Sequence, residues 1–157
     1  MQLKLALKFG LAWCLLAMAQ AREENSPEEC EKNIAASLKD RICELRQYAT
    51  VEGEDMDKHV QCVLEFQEVL GLLKIVDPNL DHAVNIKKCD GEAATVDASK
   101  KANTFYTCFL GTSSAPTYKV AMDFVKLIRA GKMHVEGKFD AGEVAARIKE
   151  VDDGLCK

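Results

Sequence analysis

The chain has 157 residues, 29% of them charged and 48% hydrophobic, with a formal net charge of −4. That is a single-domain length with enough apolar residues for a core. Its mild acidity argues against nucleic acid or an anionic membrane surface as a partner, since either would select a basic face.

The amino terminus reads as an export signal. Lys4 and Lys8 precede an apolar run from Phe9 to Met18, and Ala19-Gln20-Ala21 then has the small-x-small form of a cleavage site. The run is too short to cross a membrane, which takes about 20 apolar residues. The expectation is a signal peptide over 1–21 and one helical domain over 22–157, secreted from the cell. Cys14 would leave with the signal, while Cys30, Cys43, Cys62, Cys89, Cys108 and Cys156 remain. An even cysteine count in an exported chain of this size points to three disulfides. No C-x-x-C pair is present, so a zinc site is not expected, and the sequence alone leaves the pairing open.

Ser26-Pro27-Glu28-Glu29 predicts a helix start, with serine at the N-cap, proline in the first turn and Glu29 completing a capping box. Cys30, Ile34, Leu38, Ile42 and Leu45 recur at helical spacing, with a break near Asp40, and the pattern stops by Tyr48. Thr50 to Glu54 reads as a loop around Gly53. A second helix is predicted over Asp55 to Lys74, with Met56, His59, Cys62, Val63, Phe66 and Leu70 on one face. Asp77-Pro78 starts a short helix reaching Cys89, and Gly91 is its expected terminator. Glu92 to Ser99 is a loop. Lys100 to Leu110 is helical, with Ala102, Phe105, Tyr106 and Phe109 on one side.

Thr117 to Gly131 predicts a helix that is apolar on nearly every side, and such a helix is normally buried in a bundle. Asp123 and Lys126 interrupt it at a spacing of one turn. A buried charge is costly unless paired, so the two either pair with each other or wall a site that wants charge. Gly137 to Asp140 is a turn, and Asp140 with Glu143 forms a D-x-x-E cap for a last helix through Asp152. No period-2 strand pattern occurs. The class is all-α, roughly six to eight short helices stapled by disulfides.

No nucleophile elbow, H-E-x-x-H, P-loop, dinucleotide-binding or EF-hand pattern is present, and His59, His82 and His134 are scattered. The chain is read as a non-enzyme with no cofactor and no metal. Arg46, His59, Tyr106 and Asp123 sit beside or among apolar helix faces. Singly, each has a plain structural reading: an arginine at the edge of a face snorkels to solvent, and buried polar groups find partners. Together they supply a guanidinium, an imidazole, a phenol and a carboxylate. Such a set suits a small aromatic ligand with polar groups at both ends.

CELRQY at 43–48, EDMDKHVQC at 54–62, Phe105-Tyr106-Thr107-Cys108 and the tail Asp152-Asp153-Gly154-Leu155-Cys156 carry a more specific likeness. Over Cys30 to Cys156 the chain resembles the short-form "D-seven" salivary proteins of blood-feeding mosquitoes, relatives of insect odorant-binding proteins. Its cysteine gaps are longer than in ordinary odorant-binding proteins, as in the salivary branch. The resemblance implies a compact odorant-binding-protein-like bundle with pairs Cys30–Cys62, Cys43–Cys156 and Cys89–Cys108. It also implies a monomeric salivary protein that holds host mediators such as serotonin, histamine and catecholamines during feeding.

By that resemblance Arg46 and His59 face the ring-substituent end of an amine, Tyr106 lines the middle, and Asp123 meets the ammonium. Two altered pocket positions cut against this. Lys126 stands where amine-binding members carry an acid, and Met122 replaces an aromatic residue. Lys126 can pair with Asp123 and repel an ammonium, which predicts weak or absent amine binding. The alternative function implied is an anti-haemostatic protein that binds a clotting or contact-pathway factor.

Overall fold

The computed structural model describes residues 27–64, 66–134 and 139–156, without the side chains of 27–28 and 66–70. The expected signal peptide, the Ser26 cap, the facing of Phe66 and Leu70, and the turn at Gly137 lie outside this description. Nine α-helices are found among the described residues, with no strand. They are α1 (Pro27–Lys32), α2 (Ala36–Lys39), α3 (Ile42–Arg46), α4 (Glu54–Val63), α5 (Phe66–Val76), α6 (His82–Ala93), α7 (Lys101–Leu110), α8 (Ala115–Arg129) and α9 (Ala141–Leu155), with a 3-10 turn at Ala98–Lys100 before α7.

The first predicted helix is three short ones. Ala35 is extended and Arg41 leaves helical geometry, so the stripe Cys30, Ile34, Leu38 and Leu45 reaches the core by bending rather than by running straight. The second predicted helix is two. A straight helix of that length would span about 30 Å, as long as a small domain is wide. Instead the chain becomes extended at Leu64, which is itself buried, and α5 turns to lie against α8. Tertiary packing overrides a continuous helical pattern here.

Two other boundaries move. The Asp77-Pro78 segment is a turn in which the Asp77 carboxylate accepts from the Asn79 amide at 3.0 Å. α6 begins later, capped by Asp81, whose carboxylate accepts from the Ala83 amide at 3.2 Å. Gly91 lies inside α6 instead of ending it; at an exposed position its helical penalty is about 1 kcal/mol. At α9 the Asp140 carboxylate caps the amides of Gly142 and Glu143 at 2.8 and 3.1 Å. The Glu143 carboxylate does not return to close the box; it accepts from Arg147 at 2.9 Å.

The cysteines pair as Cys30–Cys62, Cys43–Cys156 and Cys89–Cys108. The bonds tie α1 to α4, α3 to the carboxyl terminus and α6 to α7. α8 is the central beam. One side of it, with Tyr118, Ala121, Met122 and Val125, belongs to the main core with Leu73, Phe105 and Phe109. The other, with Phe124 and Leu127, packs on Val144 of α9. Covering α8 on two sides accounts for its nearly continuous apolar surface.

Candidate functional site

α3, α4, α7 and α8, with Glu31 of α1 at the rim, converge on a small, partly open cavity of about 40 Å³. Its walls are mainly apolar, with Leu45, Met56, Val60, Val63, Leu64 and Met122, and its polar lining comes from Glu31, Arg46, Tyr48, His59, Tyr106 and Lys126. The geometry therefore gathers Arg46, His59, Tyr106, Met122 and Lys126 around one space. Asp123 does not line it. The Tyr48 side chain stands between, its hydroxyl hydrogen-bonded to the Asp123 carboxylate.

Tyr48 reaches that place through an uncommon backbone. The Ala49 amide bonds the Glu44 carbonyl and the Tyr48 amide the Leu45 carbonyl, both at 3.0 Å, which is a Schellman ending for α3. The motif puts Tyr48 at φ +66°, a left-handed conformation that glycine normally supplies. α8 ends in the same motif: Lys132 bonds back to Leu127 at 2.8 Å and Gly131 to Ile128 at 3.0 Å, with Gly131 at φ +66°. A non-glycine residue there costs roughly 1–2 kcal/mol. The contacts of the Tyr48 side chain offset that cost.

Those contacts form a tight polar cluster. The Tyr48 hydroxyl is 3.0 Å from the Lys119 carbonyl and accepts from the Lys126 ammonium at 3.4 Å. The Lys126 ammonium lies 4.4 Å above the centre of the Tyr48 ring and 3.7 Å from the Asp123 carboxylate. Burial pushes the Asp123 carboxyl above its ordinary value, against the opposing pull of Lys126 and the Tyr48 hydroxyl. Burial likewise pushes the Lys126 ammonium down, against the pull of Asp123. It pushes the Tyr48 phenol well up, with the Asp123 charge adding to it.

Arg46 is held from two sides. Its guanidinium donates to Glu31 at 2.6 and 2.9 Å and to Asp152 at 2.6 Å, joining α1, α3 and α9. This clamp meets the cavity at its edge and commits Nε and Nη1 of the guanidinium to carboxylates. His59 is different. Burial, then the charge of Lys126, pushes its imidazole down, and its Nδ1 is buried with no hydrogen-bond partner. By contrast His82 is a satisfied core histidine, with Nδ1 2.9 Å from the Ser114 hydroxyl and Nε2 3.0 Å from the Asp77 carbonyl. Burial also pushes the Tyr106 phenol up.

Beyond the cavity lies an open groove of about 1,050 Å³ between the end of α8 and α9. Glu31, Arg46 and Lys126 line both spaces, so their ion-paired layer is the partition between them. Sequence reasoning missed Tyr48 and the partners of Arg46. Tyr48 lay inside the CELRQY run, but nothing local to it signals a left-handed backbone. Among the described residues no cluster of acids, histidines and cysteines is arranged to hold a metal, and no helix is long and apolar enough to cross a membrane.

No protein-family model matches the chain. It is 58% identical over 158 residues to the short form salivary protein D7R3 of Anopheles gambiae, covering 93% of this chain and 94% of that protein. It is 55% identical over 165 residues to D7R2 of the same mosquito, covering 98% of each. Among solved structures it is similar to the crystal structure of the Anopheles gambiae D7R4–norepinephrine complex. There the TM-score is 0.75 at 33% identity, covering 84% of this chain and 99% of that one.

Proposed function

This chain belongs to the short-form D-seven salivary proteins, a secreted family, and we propose that it is a non-enzymatic binder of small host mediators with weak affinity for biogenic amines. The observation that carries the reading is the Lys126 ammonium beside Asp123. The carboxylate that would receive a ligand's ammonium already has a cation 3.7 Å away and the Tyr48 hydroxyl on it. The solved D7R4–norepinephrine complex supports a pocket of this fold accepting an amine. In this chain an entering ammonium must displace the Tyr48 hydroxyl and share a desolvated site with Lys126. Like charges in such contact cost several kcal/mol, and each ~1.4 kcal/mol is tenfold in affinity.

Calorimetry with serotonin and histamine tests this. The wild-type protein is expected to bind both weakly, and Lys126→Glu to bind them at least about tenfold more tightly, because the new carboxylate adds charge for the ammonium. Submicromolar amine binding by the wild type overturns the reading.

A further inference from the structure

We propose that the cavity takes a small, largely apolar ring compound whose polar end is a hydrogen-bond acceptor, a carboxylate above all, with Lys126 and His59 as its partners. This deepens the mediator-binding reading above and rests on it.

The polar atoms facing the cavity divide unevenly between acceptors and donors. Asp123 is behind Tyr48, and its carboxylate already takes the Tyr48 hydroxyl and the Lys126 charge. Glu31, an acid of the lining, is engaged by Arg46 at 2.6 and 2.9 Å. No carboxylate of the lining is therefore left for a ligand cation. On the donor side, an ammonium has three hydrogens, and Lys126 directs one toward Tyr48 and one toward Asp123. The third is available. His59 Nδ1 is buried without a partner, and a buried unpaired polar atom costs about 1–3 kcal/mol until something satisfies it. A carboxylate of the ligand answers both groups at once when His59 takes the tautomer with its proton on Nδ1.

The approach does not oppose an anion. In the groove outside the partition, Lys32, Lys126, Lys132 and Arg147 outnumber Glu31 and Glu150, in a chain of net charge −4. Arg46 there is held by Glu31 and Asp152, and Arg147 leans on Glu143. With Asp123 on Lys126 counted as well, five cations there meet five acids, so the mouth is locally neutral and does not add to the repulsion an anion meets from the molecule's net negative charge. The cavity itself is smaller than a ring compound, but Met56 and Met122 form part of its wall. Unbranched thioether side chains shift among rotamers more readily than branched ones, so the space opens without moving a helix.

Three ligands with one ring and different ends separate the cases: indole acetate, tryptamine and methylindole, titrated calorimetrically into the wild type, Lys126→Met and Lys126→Glu. The wild type is expected to bind indole acetate at least about tenfold more tightly than tryptamine. Lys126→Met, of similar length without the charge, is expected to lose that preference while folding normally. Tryptamine binding the wild type as tightly as indole acetate overturns the inference. Retention of the preference in Lys126→Met also overturns it. A wild type that prefers the acid, with no gain of amine binding in Lys126→Glu, defeats the weak-amine reading and leaves this one standing. Failure of all three to bind any form defeats both.

Discussion

At the scale of single residues, His59 gives the most direct test of the site's electrostatics. Its imidazole is pushed below the usual 6.5 by burial and then by the Lys126 charge. The folded state therefore favours the neutral ring. Its contribution to stability is complete above the unfolded value and is lost as the pH falls through the lower folded value. The wild type should lose stability as the pH falls from neutral through 6.5 and below, and His59→Gln should show a flatter slope across that fall. Denaturant midpoints at several pH values measure it, and equal slopes for the two proteins would exclude the cavity environment assigned to His59. Arg46 shows why residue types alone mislead. It stood beside an apolar face in the sequence, as a binding residue would. Its partners Glu31 and Asp152 lie 15 and 106 residues away, and no local pattern announces that clamp.

At the scale of elements, the two Schellman endings form a natural comparison. Gly131 pays nothing for φ +66°, and no atom lies within 4 Å of where a Cβ would stand. Gly131→Ala should therefore destabilise by about 1 kcal/mol through backbone strain alone. Tyr48→Gly removes the same strain from α3 but also removes the ring under Lys126 and the hydroxyl on Asp123. The expected result is a net loss of about 1–3 kcal/mol, the size of a lost bond to a charged, desolvated group. Stabilisation by Tyr48→Gly in chemical denaturation would mean that the side chain contributes nothing.

Helix legibility followed the same logic. α7 and α8 were readable because their apolar pattern and their actual course agree. The break at Leu64 was not, because the apolar face continues through it and only the docking of α5 on α8 demands a turn. The left-handed Tyr48 was not either, since a tyrosine carries no propensity for that conformation. The charges on α8 were readable as a pair, and the hydroxyl joining them was not.

At the scale of the whole molecule, the Cys43–Cys156 bond closes a loop with a sequence separation of 113. Cross-linking so long a stretch removes unfolded-state entropy worth about 4–5 kcal/mol in the chain-entropy account. It also anchors α9 next to the Arg46–Asp152 contact. A Cys43→Ser, Cys156→Ser double variant should lose stability on that order. Because Asp152 then loses its tether, Arg46→Ala should cost less in this background than in the wild type. A double-mutant cycle reads the coupling, and strict additivity would show that bond and clamp act independently.

The distribution of the disulfides has a dynamic consequence. α1, α3, α4, α6 and α7 each carry a bonded cysteine, and Cys156 fastens the end of α9. α5 and α8 carry none. The helix that presents Met122, Asp123 and Lys126 is thus a beam laid in a welded frame without a weld of its own. Its opening is limited by side-chain packing alone, so among the long helices α5 and α8 form the unit that can breathe while the covalent cage stays shut. A guest that outgrows the rotamer freedom of Met56 and Met122 therefore meets its next resistance in the side-chain packing of this pair and not in a covalent bond.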